Sequence, residues 1–197
     1  MDWSNSKNYF PKFAIGFFVV SGVILLATPH SWWPTFYDLP YMGWAALVCA
    51  AAIFSFEVGP LKNPKVRPLQ TALAVILLLN ASGDMGLYEL YRYGFEYDKI
   101  IHFISPLIET WALAKIFGFR RAIVLVIVGA VAWELFEFLA DTFIKTHLFG
   151  VYRQQIFRDT LTDLAMNLLG ILGAFCYHRW NSKSLYARNL YQGGTSL

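Results

Sequence analysis

Six apolar stretches punctuated by polar residues set the pattern of this chain. They run from about Tyr9 to Thr28, Pro40 to Phe56, Pro68 to Ser82, Ile100 to Phe119, Ala122 to Phe143 and Asp159 to Tyr177. A helix rises about 1.5 Å per residue and needs about 20 apolar residues to cross the hydrocarbon core of a bilayer. Each stretch therefore predicts a membrane-crossing helix. Gly83 and Gly86 loosen the third, which can extend to Tyr91 at the interface. No stretch alternates with period two, so strands are not expected. The fold class expected is all-α: a polytopic membrane helix bundle of about six transmembrane helices. Lys7 and Lys12 before Phe13 to Thr28 give the outline of a signal peptide, but Pro29 spoils the cleavage site. The first span is expected to stay.

Composition sharpens this reading. Hydrophobic residues make up 57% of the 197 residues and charged residues only 15%, against about 25% charged in soluble domains. A water-facing surface cannot cover most of such a chain, which leaves no room for a separate soluble domain. The whole of 1–197 is expected to be one membrane domain: 9–96 as scaffold, 97–178 as a polar core and 179–197 as a cytoplasmic tail. Cys49 and Cys176 sit in apolar runs without ligand spacing and read as packing residues.

Loop charge gives orientation. Lys62, Lys65 and Arg67 follow the second span, Arg120 and Arg121 the fourth, and Arg179, Lys183 and Arg188 the sixth; Lys7 and Lys12 precede the first. Basic residues on alternate loops place those loops, and both termini, in the cytoplasm. Lys145, Arg153 and Arg158 run against the rule, on the outer side. Trp32, Trp33, Phe36, Tyr37 and Tyr41 mark one interface, with Tyr88, Tyr91, Tyr93 and Tyr97 on the same side. The expected location is a multi-pass protein of the cell membrane, in a prokaryotic inner membrane.

The last three spans carry the candidate chemistry. Asp98, His102, Ser105 and Glu109 fall within about 60° on one helix, as do Glu134, Glu137 and Asp141 on the next. Asp159, Asp163 and Asn167 span about 80° on the last. An ionisable group at membrane depth costs about 2.5–3.5 kcal/mol on insertion scales. Three polar stripes on otherwise apolar cylinders are cheapest when turned toward one another. Helices four and six enter from the outer side and helix five runs outward, so the stripes meet in the outer half, as a cleft open to the exterior.

So many carboxylates need a counter-charge. It can be a bound divalent cation, which carboxylates, an imidazole and an amide suit. It can be shared protons, as in a general acid/base pair. It can be an internal cation, with Arg153, Arg158 and Lys99 as candidates. His102, Glu134 and Asp163 are the candidate catalytic residues. Arg158, Asn167 and Asp98 are the candidate substrate contacts, and Glu109, Glu137, Asp141 and Asp159 the candidate metal ligands. Asn80 and Asp84 share a face of helix three and can join the cleft. Glu57 is expected to cap helix two, and His30, His147 and His178 to lie at the surface.

Asp98-Lys-Ile-Ile-His-Phe103 resembles the DKxxHF signature of VanZ-like membrane proteins, and Arg158-Asp-Thr-Leu-Thr-Asp163 with Asn167 and Gly170 resembles their closing element. Trp133-Glu-Leu-Phe-Glu137 together with the Asp-Thr-x-x-Asp step is closer to the YjdF-like (DUF2238) branch. Tyr152-Arg-Gln-Gln155 stands where that branch has a Gln-Gly-Asp step. The resemblance covers Tyr97 to Ala174. It implies a small polytopic membrane protein and brings no defined reaction. The function expected is binding of, or action on, a lipid or lipid-linked envelope headgroup, with a divalent cation as the candidate cofactor. An accessory subunit with a structural polar network is the alternative, and ion or proton transport the third. Membrane lipids and other membrane subunits are the expected partners, and nucleic acid is not one.

Overall fold

A computed structural model describes residues 9–29, 39–139, 142–143 and 156–193. His30, Trp32, Trp33, Phe36, Tyr37, Asp141, Lys145, His147 and Arg153 lie outside them. The described residues are all helical or irregular, without strands. The helices are α1 (Tyr9–Ala27), α2 (Leu39–Phe54), α3 (Arg67–Asp84), α4 (Tyr97–Phe117), α5 (Phe119–Leu139) and α6 (Ile156–Gly193). Six of the described segments are long and apolar enough to cross a membrane, which makes this a multi-pass membrane protein. The chain divides into two compact units, Met1–Ser82 and Gly83–Leu197.

In the first unit α1 and α2 approach through two glycines. A Cβ on Gly22 would meet Leu47 Cγ at 2.9 Å, and one on Gly43 would meet Leu26 Cγ at 2.8 Å. Small residues allow such approach where no hydrophobic force drives helices together in lipid. Ala14, Phe18, Ala50, Ile53 and Ala74 form the core of this unit. The end of α2 tightens into a 3-10 turn, Ser55–Glu57. Glu57 accepts there from Gln70 Nε2 at 2.8 Å, and the same nitrogen donates to the Ile53 carbonyl at 3.3 Å. The residue expected to cap helix two thus ties α2 to α3.

In the second unit α6 lies directly on α4. A Cβ on Gly170 would land on the Phe103 carbonyl oxygen, and one on Gly173 would reach Leu107 Cδ1 at 3.2 Å. At the start of α5 the Phe119 ring stacks on His178 of α6 at 4.1 Å. Hence α5 runs antiparallel to α6, and the C-terminal end of α5 meets the N-terminal ends of α4 and α6.

Three boundaries differ from the sequence-based expectation. The turn between α4 and α5 is Gly118 alone, at φ +80°, with its N–H on the Ala114 carbonyl at 3.1 Å. A glycine in the left-handed region ends a helix at once, so Arg120 and Arg121 belong to the first turn of α5. Helix α3 stops at Asp84, and Gly86 at φ +121° turns the chain into a 3-10 segment, Leu87–Tyr93. Helix α6 continues to Gly193, well past its apolar span. The residues after Asn181 contain no Pro or Gly before Gly193, so nothing local stops it.

Candidate functional site

Helix α4 begins at Tyr97, which puts Asp98 in its first turn. A carboxylate there is favoured by the exposed N–H groups and the helix dipole. His102 follows one turn on and is buried. Glu134 is buried near the C-terminal end of α5, and Asp163 and Asn167 are buried on α6. The antiparallel run of α5 brings all five to one end of the unit.

His102 is the centre. Its Nδ1 is 3.0 Å from Glu134 Oε1. Its Nε2 is 3.4 Å from Asp98 Oδ1 and 3.8 Å from Asp163 Oδ1. Asn167 Nδ2 donates to the same Glu134 Oε1 at 2.9 Å. Lys99 supplies the opposing charge. Its Nζ donates to Asp159 Oδ1 at 2.5 Å, Asp163 Oδ1 at 2.7 Å and Asp98 Oδ2 at 3.3 Å. Of the three internal cations considered from sequence, Lys99 takes this place, although it was not among the candidate site residues. It lies about 100° off the Asp98–His102 stripe. A four-carbon stem swings an ammonium across that angle, and helical periodicity cannot register it.

The other candidates fall as follows. Glu137 is half-buried one turn beyond Glu134, and the Trp133 side chain reaches it. Asp159 joins the cluster through Lys99. Arg158 is exposed and joins no ion pair among the described residues. Glu109 is half-buried about 10 Å further along α4 and joins none of the cluster's contacts. Asp141 lies outside the described residues. The buried hydroxyls of Ser105 and Thr110 have no hydrogen-bond partner among the described residues.

Tyr88, an expected interface aromatic, is a further neighbour of the cluster. Its ring occupies the space a Cβ on Gly83 would need, and it meets the Tyr97 ring edge-on at 5.7 Å. Burial pushes its phenol ionisation upward, and the charges of Asp98 and Asp84 add to the effect. The only sequence signal was the close Gly83 and Gly86 pair ahead of it.

Asp98, Glu134, Asp159 and Asp163 face Lys99 and His102, so carboxylates outnumber the cationic groups even with His102 charged. Two sets of three offer ligand atoms within 4.8 Å of one another: Asp98, His102 and Asp163, and His102, Glu134 and Glu137. The arrangement can hold a cation, or trade protons between an imidazole and carboxylates.

The family model described as "Predicted membrane protein (DUF2238)" matches residues 13–183. The chain belongs to the DUF2238 family of predicted membrane proteins. The match takes in most of the first candidate span and all of the other five, well beyond the Tyr97–Ala174 stretch that carries the resemblance. No curated protein and no solved structure matches the chain.

Proposed function

We propose that the cluster at the shared end of α4, α5 and α6 is a binding and reaction site for the polar headgroup of a lipid or lipid-linked envelope molecule. One observation carries the reading: side chains from three helices converge on His102 at one end of the unit, with Glu134, Asp163 and Asn167 buried and Asp98, Lys99 and Asp159 half-buried. Buried ionisable groups in a membrane protein are costly and mark function by default. The division of labour between the basic residues supports it. Lys99 is held by three carboxylates, whereas Arg158, exposed at the start of α6, is available to an anionic group such as a phosphate. The stretches of α4 and α6 that resemble VanZ-like proteins are the ones that build the cluster. Loop charge supports placing this end on the outer face of a prokaryotic inner membrane.

The test is lipid retention. The full chain is purified in nanodiscs containing phosphatidylglycerol and phosphatidylethanolamine and examined by native mass spectrometry. Retained phospholipid adducts that fall with Arg158→Gln support the reading, and adducts indifferent to that change sink it. The second reading, an accessory subunit whose cluster only ties helices together, draws on the tight seating of α6 on α4 at Gly170. There Glu134→Gln with Asp163→Asn should unfold the protein or release a membrane partner. Under the first reading the double variant folds and loses the adducts.

A further inference from the structure

The environment of His102 specifies what fills the site. Both ring nitrogens face carboxylate oxygens: Nδ1 toward Glu134, Nε2 toward Asp98 and Asp163. The side chain is only 8% exposed. A neutral imidazole carries one N–H. Its other nitrogen presents a lone pair, and here that lone pair would point at another lone pair. Something positive has to stand between them: a second proton, or a metal ion.

The two sides are not equivalent. On the Nε2 side, Asp98 and Asp163 are already bound by the Lys99 ammonium at 3.3 and 2.7 Å. A divalent ion placed there would be driven against a fixed positive charge. On the Nδ1 side stand Glu134 and Glu137, separated by three residues and therefore on one face of α5. No Lys or Arg among the described residues is paired with either. The His102 Nδ1 to Glu134 Oε1 separation of 3.0 Å also lies within the spacing of two neighbouring ligands on one ion, since metal–N and metal–O bonds of about 2.0–2.2 Å meeting near 90–110° leave about 2.8–3.6 Å between donors.

We propose that His102 Nδ1, Glu134 and Glu137 form a site for a first-row divalent metal ion such as zinc. One nitrogen and two carboxylates suit such an ion. Three protein ligands leave a position open, as in metal sites that act on a bound group rather than merely brace a fold. The supporting contacts are those a metal-bound histidine requires. With the metal on Nδ1, the proton sits on Nε2 and is directed at Asp98, which fixes the tautomer and the ring. Asn167 donates to Glu134 and holds that ligand in place. Lys99 acquires a second meaning here: its ammonium sits among Asp98, Asp159 and Asp163 and keeps a second ion from the Nε2 side, while the one metal ion offsets the charges of Glu134 and Glu137.

This inference rests on the cluster being a working site, and it can fail separately from the headgroup reading. Full-length protein carrying ¹⁵N-labelled histidine is stripped with a chelator, reconstituted in bilayers and titrated with zinc chloride. His102 is assigned by the signal lost in His102→Gln. The expected result is one equivalent of bound zinc, with the His102 Nδ1 resonance moving to a metal-bound position and Nε2 remaining protonated. Glu137→Gln should weaken zinc binding at least about tenfold, while Asp159→Asn should not. If both nitrogens of His102 carry protons and neither responds to zinc, a proton fills the gap and the metal site is refuted. If Nε2 moves instead, the assignment to Glu134 and Glu137 is refuted. Lipid retention that depends on Arg158, combined with an unresponsive His102, overturns this inference alone. Zinc binding without lipid retention overturns the headgroup reading alone.

Discussion

Replacing Lys99 with methionine removes the ammonium that contacts Asp98, Asp159 and Asp163 while keeping the length and apolar stem of the side chain. At an effective dielectric near 20, each contact of 2.5–3.3 Å has a gross attraction of about 5–7 kcal/mol. The desolvation of ammonium and carboxylates takes much of this back. What a variant registers is the cost of leaving the acids uncompensated, about 3–5 kcal/mol when one partner of a buried pair is removed. The Lys99 side chain is 14% exposed and that of Asp163 only 4%, so solvent screens this contact little. The assay is equilibrium unfolding of the full chain in mixed detergent micelles, followed by tryptophan fluorescence. Lys99→Met should lower stability by that amount. Adding Asp163→Asn should return part of it, with a coupling of about 1–3 kcal/mol between the two positions. A change below about 0.5 kcal/mol for Lys99→Met, with strictly additive effects in the double variant, would refute the idea that Lys99 holds the cluster together.

Asn167→Ala leaves buried Glu134 without its amide donor and should cost about 1–3 kcal/mol, read as a drop in melting temperature. Gly170→Ala forces a Cβ onto the Phe103 carbonyl; overpacking of this kind costs about 1–3 kcal/mol, and Gly173→Ala, with only a flexible Leu107 methyl in the way, should cost less. Tyr88 gives a pH dependence. Its folded-state ionisation is raised by burial, so the stability it contributes is complete below the unfolded phenol value of about 10 and is lost as pH rises above it. Melting curves from pH 8 to pH 11 should show an alkaline loss that Tyr88→Phe diminishes; equal losses in the two proteins would count against a buried Tyr88 hydroxyl.

The spans were legible in the sequence because lipid imposes a length and an apolarity that any crossing helix must satisfy. The convergence of α4, α5 and α6 on one polar end was also legible. An acid, amide or imidazole repeated every three or four residues fixes a face, and a polar face in a bilayer has few places to go. Other features depended on the fold. Helix ends at Gly118 and Gly86 follow from left-handed backbone torsions, and apolar periodicity does not report these. Tyr88 reached the cluster because Gly83 leaves room for its ring, a matter of space rather than pattern. Glu109 shares the Asp98–His102 stripe, but depth along the helix separates it from the partners that the others found. Lys99 is the sharpest case: the sequence alone offered three basic residues as internal counter-ion. The choice among them fell to the one whose flexible stem reaches Asp159 and Asp163, acids some sixty residues away that only the packing of α6 against α4 brings within hydrogen-bond distance.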